Sequence, residues 1–247
     1  MLTEISVYII VALVSFVAAL TQRVSGFGFG MLFMTAAPFL MPTYPEATTL
    51  SGALALTCAV LTGVEMFRFV PWKKLIPILV TFLIVSFVSI RFVGRVDGKL
   101  MKGILGGMLI LLSFYFSFIK SRIKLHPSMK VQIGAGTVSG VMGGLFAMQG
   151  PPAVIYFISC ADSKEEYMAI TQWYFIISNS FMTISRAASG YFTPTVGKAW
   201  LFGVGAVILG ILVGRRIYRK MNIEIIRKVV YVVIGISGVL AVVLSLR

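Results

Sequence analysis

Charge is scarce in this sequence. Only 12% of its 247 residues are charged, where a soluble domain carries about 25%. Hydrophobic residues make up 58%, and the mean hydropathy is +0.97. There is no room for a separate soluble domain. Acid is scarcer than base. The eight carboxylates (Glu4, Glu46, Glu65, Asp97, Asp162, Glu165, Glu166 and Glu224) all lie at or near the ends of apolar runs. None sits clearly mid-span to relay protons or hold Na⁺. Glu65 comes nearest, and it reads better as an interfacial partner of Arg68. The one histidine, His126, lies in a basic linker, and the two cysteines, Cys58 and Cys160, lie in separate apolar runs. Neither a disulfide framework nor a metal site is indicated. A membrane-embedded enzyme would lack its nucleophile–base pair, and no cofactor is expected. No GxxxxGK[ST] or GxGxxG opens a helix after a strand, so nucleotide binding is unsupported.

Apolar runs are what the chain has in plenty. Several reach the ~20 residues that cross a bilayer as helix, which makes this a polytopic membrane protein with one membrane domain. The net charge of +14 does not point to nucleic acid. Its lysines and arginines cluster in short gaps between apolar runs, where such residues fix topology and meet anionic lipid. The start, Met1-Leu2-Thr3-Glu4, has no basic region, so the run to Leu20 reads as an uncleaved first span.

Inside this apolar sequence stands Gly26-Phe27-Gly28-Phe29-Gly30. Three glycines at alternate positions make a regular helix unfavourable. Open backbone at membrane depth is tolerated only where protein or a watery cavity satisfies it. The stretch therefore reads as a broken helix lining a site. The apolar segments fall at about 5–23, 27–41, 46–67, 75–94, 100–119, 131–148, 151–161, 165–188, 197–214 and 225–246. The second and seventh are too short to span comfortably and read as half-helices or re-entrant arms. The expectation is an all-α integral membrane protein with 8–10 membrane segments.

The halves repeat. A slide of 120 residues places Gly30 on Gly150, Thr43 on Ser163, Glu46 on Glu166, and Val93-Gly94-Arg95 on Val213-Gly214-Arg215. Thr43-x-x-Glu46 and Ser163-x-x-Glu166 are both capping-box helix starts. The expected units are a first transmembrane repeat, 1–119, a basic linker, 120–130, and a second repeat, 131–247. If the short arms do not cross, the repeats are parallel. If they do, the repeats are inverted and the linker is cytoplasmic; the distribution of lysine and arginine favours this second arrangement.

The second break is Gly150-Pro151-Pro152, preceded by Gln149. Two prolines remove donors, and either can start the next short helix. A half-helix starting near the midplane aims free N–H groups and a positive dipole end into the site, which suits an anion. Gln149 adds a side-chain donor and acceptor there; its alternative use is a helix–helix hydrogen bond. Arg23 either reaches the site as a cationic partner or snorkels to the interface, and the snorkel is the favoured reading. Gln172, Asn179 and Arg186, spaced by seven, share one helix face. Polar residues so aligned in a span face the bundle or a pathway, although Arg186, near a helix end, also fits an interfacial anchor. Gly136, Gly140 and Gly144 recur every four residues and read as helix packing. The candidate substrate-binding set is therefore Arg23, Gly26, Phe27, Gly28, Phe29, Gly30, Gln149, Gly150, Pro151, Gln172, Asn179 and Arg186.

Together the two breaks resemble the TauE/SafE sulfite-exporter family of membrane permeases, whose two repeats each begin with a glycine-rich break of the form G-F-G-G-G or G-x-G-G-P. The residues that carry the likeness are Gly26-Phe27-Gly28-Phe29-Gly30, the run Met148 to Phe157, and the Gly-Arg turns at Gly94-Arg95 and Gly214-Arg215. It covers about residues 5–245. Phe29 stands where the family usually has a third adjacent glycine, and Ala147 and Gln149 also depart from the pattern. The resemblance implies a secondary transporter of sulfite or a small organosulfur anion, commonly an exporter, in the cytoplasmic (inner) membrane. A homodimer is compatible with it. An organic-acid permease and a non-transporting membrane subunit are the alternatives.

Overall fold

A computed structural model describes residues 4–118, 128–222 and 225. Among these the chain is helical: α1 Glu4–Ser25, α2 Phe29–Leu40, α3 Tyr44–Gly63 continued by a 3-10 segment Val64–Phe69, α4 Trp72–Val93, α5 Gly98–Phe118, α6 Met129–Phe146, α7 Gly150–Cys160, α8 Lys164–Ala188 and α9 Pro194–Arg219. Most of the basic linker 120–130 and of the tenth segment, 225–246, lies outside the described residues. Four helical stretches are long and apolar enough to cross a membrane among the described residues: Glu4–Ser25, Tyr44–Phe69, Trp72–Val93 and Pro194–Arg219.

The helices sort their faces as membrane helices do. Ile5, Ile9, Leu13 and Val17 are exposed along one stripe of α1, while Val11, Ser15, Ala18, Ala19 and Gln22 are buried along another. With lipid outside, apolar residues face outward, and small or polar residues face neighbouring helices. α1 packs chiefly on α9, α4 on α6, and α3 on α8. Small residues make two of these contacts close. A Cβ on Gly136 would lie 2.7 Å from the Ile78 carbonyl oxygen, and one on Gly140 2.7 Å from Val85. At Gly214 it would lie 2.8 Å from Arg23.

The caps follow the sequence closely. Thr43 accepts from the Glu46 N–H, and Glu46 accepts from the Thr43 N–H at 3.0 Å, a complete capping box. At α8 only half of the box forms: Ser163 accepts from the Glu166 N–H, but the Glu166 carboxylate accepts from Asp162 N–H and from Lys74 Nζ, the latter at 2.7 Å. Lys74 also donates to the Cys160 carbonyl at 2.8 Å, so one cation ties the starts of α4 and α8 to the end of α7. At the other end of the bundle Glu46 accepts from Thr193 Oγ1 at 2.6 Å, which ties the start of α3 to that of α9. Glu65 pairs with Arg215 at 3.2 Å. The expected Glu65–Arg68 pair is thereby corrected: Arg68 lies over the Phe69 ring instead.

The contacts fix helix directions. Thr193 meets Glu46, and Trp200 Nε1 donates to Thr57 Oγ1, so α9 and α3 run the same way. Gly214 meets Arg23 and Gly210 meets Leu20, so α1 runs that way too. α2 must then return toward the end where α3 begins. Gln132 donates to Tyr156 Oη at 2.7 Å, while Gly143 lies against Gln149. Hence α7 folds back antiparallel to α6. Each short helix is the return arm of a longer one.

Candidate functional site

Both breaks form, and both need special backbone. Gly26 and Gly28 sit at φ 91° and 105°, a region that favours glycine. Helix resumes at Phe29, so Gly30 belongs to the first turn of α2 rather than to the open stretch. α6 ends on Ala147 at φ 55°, a left-handed cap occupied by a residue that carries a Cβ. Pro151 and Pro152 then open α7, where their missing N–H groups cost no helix bonds.

The freed carbonyls are satisfied mainly from α8. Tyr167 Oη donates to the Ser25 carbonyl at 2.7 Å, and Gln172 Nε2 to the Gly26 carbonyl at 2.6 Å. Gln22 in turn donates to Gln172 Oε1 at 3.1 Å. At the second break Arg186 Nη2 donates to the carbonyls of Gly143 and Gly144, at 2.9 and 3.0 Å. One face of α8 therefore closes both gaps in the backbone, which membrane depth demands.

The two breaks meet. A Cβ on Gly30 would collide with the Ala147 carbonyl oxygen, so glycine there lets the start of α2 touch the end of α6. Between them lies a small cavity lined by Gln22, Phe27, Gly28, Phe29, Gly30, Met31, Ala55, Ala147, Met148, Gln149, Gly150, Phe175 and Asn179. It sits at the middle of the long helices, beside Ala55 of α3 and between Phe175 and Asn179 of α8. Its volume is about 20 Å³, enough for a water but not for a larger anion without side-chain movement.

Donors converge on it. The first i→i−4 bond of α2 runs from Leu32 N–H to the Gly28 carbonyl, which leaves the N–H groups of Phe29, Gly30 and Met31 outside the ladder. α7 begins at the same cavity from the other side, so two positive dipole ends face it. Its prolines remove donors there, and side chains take their place. Gln149 Nε2 donates to Asn179 Oδ1 at 2.8 Å, so the two amides line the cavity as a bonded pair. No ionisable side chain lines it among the described residues.

Of the twelve expected residues, the cavity gathers Phe27, Gly28, Phe29, Gly30, Gln149, Gly150 and Asn179. Gly26 and Gln172 stand one layer back, bonded to each other, and Pro151 is buried in the first turn of α7. Arg23 is a correction. It does not snorkel: it is 4% exposed, with its guanidinium 5.0 Å above the Tyr218 ring, and it lies outside the lining. Arg186 is buried on the carbonyls of α6, so the interfacial-anchor alternative falls away. Gln22, Met31, Ala55, Met148 and Phe175 were missed as lining. Gln22 carried a signal, being a polar residue one turn before a break. The other four are apolar residues in an apolar chain.

The description "Sulfite exporter TauE/SafE" matches residues 11–241. The chain belongs to the TauE/SafE sulfite-exporter family. A curated relative, the "Probable sulfite/organosulfonate exporter TauE" of Cupriavidus necator, is 25% identical over 230 residues, covering 88% of this chain and 87% of the relative. No solved structure matches the chain. As a TauE/SafE member, the chain is a membrane transporter.

Proposed function

We propose that this protein is a secondary transporter that carries a small sulfur-containing anion, sulfite or an organosulfonate, outward across the cytoplasmic membrane through the cavity between α2 and α7. The observation that carries the reading is the convergence of two helix N-termini on one buried, uncharged cavity with amide donors to spare. Such ends bind anions without a counter-charge. The name of the Cupriavidus necator relative supports the choice of cargo.

In this reading residues 1–119 and 131–247 are inverted repeats. Shifting α1, α3 and α9 by 120 positions carries them onto α6, α8 and α4, and the α1–α9 contact becomes the α6–α4 contact. The Glu46–Thr193 tie likewise becomes the Glu166–Lys74 region at the opposite end. Rocking one half against the other would open the cavity to each side in turn.

The test is flux in proteoliposomes holding the purified protein alone. Sulfite or sulfoacetate should move, and Gln149→Ala should abolish the movement while the protein still expresses and folds. Flux of carboxylates alone would replace this reading with an organic-acid permease. Unchanged sulfite flux in Gln149→Ala would remove the cavity from the pathway.

A further inference from the structure

A second opening lies about half the length of α8 from the central cavity. At the end of the bundle where α3, α5 and α9 begin, a vestibule of about 700 Å³ is lined by Tyr44, Glu46, Asp97, Lys99, Lys102 and Tyr191, among others. Its carboxylates are committed. Glu46 accepts from Thr43 and Thr193, and Asp97 accepts from the N–H groups of Lys99 and Leu100. Its lysines have no carboxylate partner among the described residues; Lys102 Nζ lies 5.1 Å from the Phe39 ring. The starts of α3, α5 and α9 and the ends of α4 and α8 all border this space, so helix ends of both signs meet there. What the vestibule offers an anion is the two lysines.

Behind its inner wall the polar groups are unusual. Tyr44 is 3% exposed, yet its hydroxyl has no hydrogen-bond partner. Arg186, 1% exposed, has an unpartnered Nε. Ser51 and Thr183 have unpartnered hydroxyls as well. Tyr44, Thr48 and Ser51 share a face of α3 by their spacing. That face meets α8, where Arg186 Nη1 donates to the Thr48 carbonyl and Thr183 Oγ1 lies beside Gly52. A buried donor left unsatisfied destabilises the fold. Several of them facing one helix interface suggest a ligand that they share.

We propose that Tyr44, Ser51, Thr183 and Arg186 form a second oxyanion subsite between the vestibule and the central cavity, where the transported anion rests on its way past α8. The proposal rests on the transport reading above and adds a step to it. The anion enters past Lys99 and Lys102, takes donors from the Tyr44 hydroxyl and Arg186 Nε, and moves two helical turns along α8 to Asn179. Arg186 keeps its bonds to α6 throughout, so the subsite is rigid on one side.

The test is sulfite binding to the purified full chain by titration calorimetry, paired with flux. The unaltered protein should bind two sulfite ions. Gln149→Ala should lose the cavity ion and keep the other. Tyr44→Phe and Thr183→Val, which remove hydroxyls without touching the bonds of Arg186 to α6, should keep the cavity ion and weaken the second by about tenfold or more, the worth of one hydrogen bond to an anion. In oriented proteoliposomes Tyr44→Phe should raise KM from the vestibule face more than from the other. One bound sulfite in the unaltered protein, lost in Gln149→Ala and unchanged in Tyr44→Phe, overturns the subsite and leaves the transport reading standing. No sulfite binding at all overturns both.

Discussion

Gln172 and Gly26 stand 146 positions apart in the chain and 2.6 Å apart in space, the amide of one closing the carbonyl of the other. The bond shows how a backbone gap survives inside a membrane domain. The break sits in one helix, and the group that satisfies it comes from another.

Gln172→Leu keeps the volume and removes the donor. The Gly26 carbonyl and the Gln22 amide would both lose their partner. The expected cost is about 1–3 kcal/mol, seen as a lower Tm of the protein in detergent. An unchanged Tm would mean that water replaces Gln172 at the break.

Gly30→Ala should be worse tolerated than most glycine substitutions here. The added methyl meets a backbone oxygen of the other break, which cannot swing aside as a side chain does. A loss of about 1–3 kcal/mol is expected, with loss of flux. Gly103→Ala is the control: nothing lies within 4 Å of its Cβ, and in mid-helix it should be neutral or stabilising by up to about 1 kcal/mol.

Ala147→Gly should stabilise. Ala147 is the one non-glycine residue with positive φ among the described residues, and a Cβ costs about 1–2 kcal/mol in that conformation. Glycine removes the penalty and gives back part of it as unfolded-state entropy, so a net gain of about 0.5–1 kcal/mol is expected in thermal unfolding. A fall in Tm would show that the methyl packs usefully between the breaks.

Asn179→Asp is nearly isosteric, keeps an acceptor for Gln149, and puts a carboxylate beside the cavity. At about 4 Å and an effective dielectric of about 20, two like charges repel by about 4 kcal/mol. Sulfite flux at neutral pH should fall by about a hundredfold or more, and Tm should fall as well, because the new carboxylate is buried without a cation. Flux near the unaltered rate would place the anion's path elsewhere.

Much of this was legible because glycine and proline announce themselves. The breaks at 26–28 and before Gly150, the short arms and the capping residues all rest on local backbone chemistry, and each appears where the residue types put it. The stripe of Gln172, Asn179 and Arg186 was readable from its period, and all three are buried. Partners distant in sequence were not readable. Arg23 looked free to snorkel because Tyr218, the ring beneath it, lies on a helix nearly the whole chain away. Glu65 looked paired with its neighbour Arg68, but the folded bundle offers Arg215. Phe175 and Met148 line the cavity, yet apolar residues in so apolar a chain carry no local mark of their place.

The central cavity is lined by amides, helix ends and apolar side chains, with no ionisable side chain among the described residues. An anion held there keeps its full charge, because nothing in the lining can neutralise it by giving up or taking a proton. On the proposed function, each passage without a co-moving ion is then a pulse of current. A cell interior held negative pushes the anion outward, by about 2.3 kcal/mol per charge for each 100 mV. Export would draw on the membrane voltage itself, and a patch electrode or a potential-sensitive dye would register it directly.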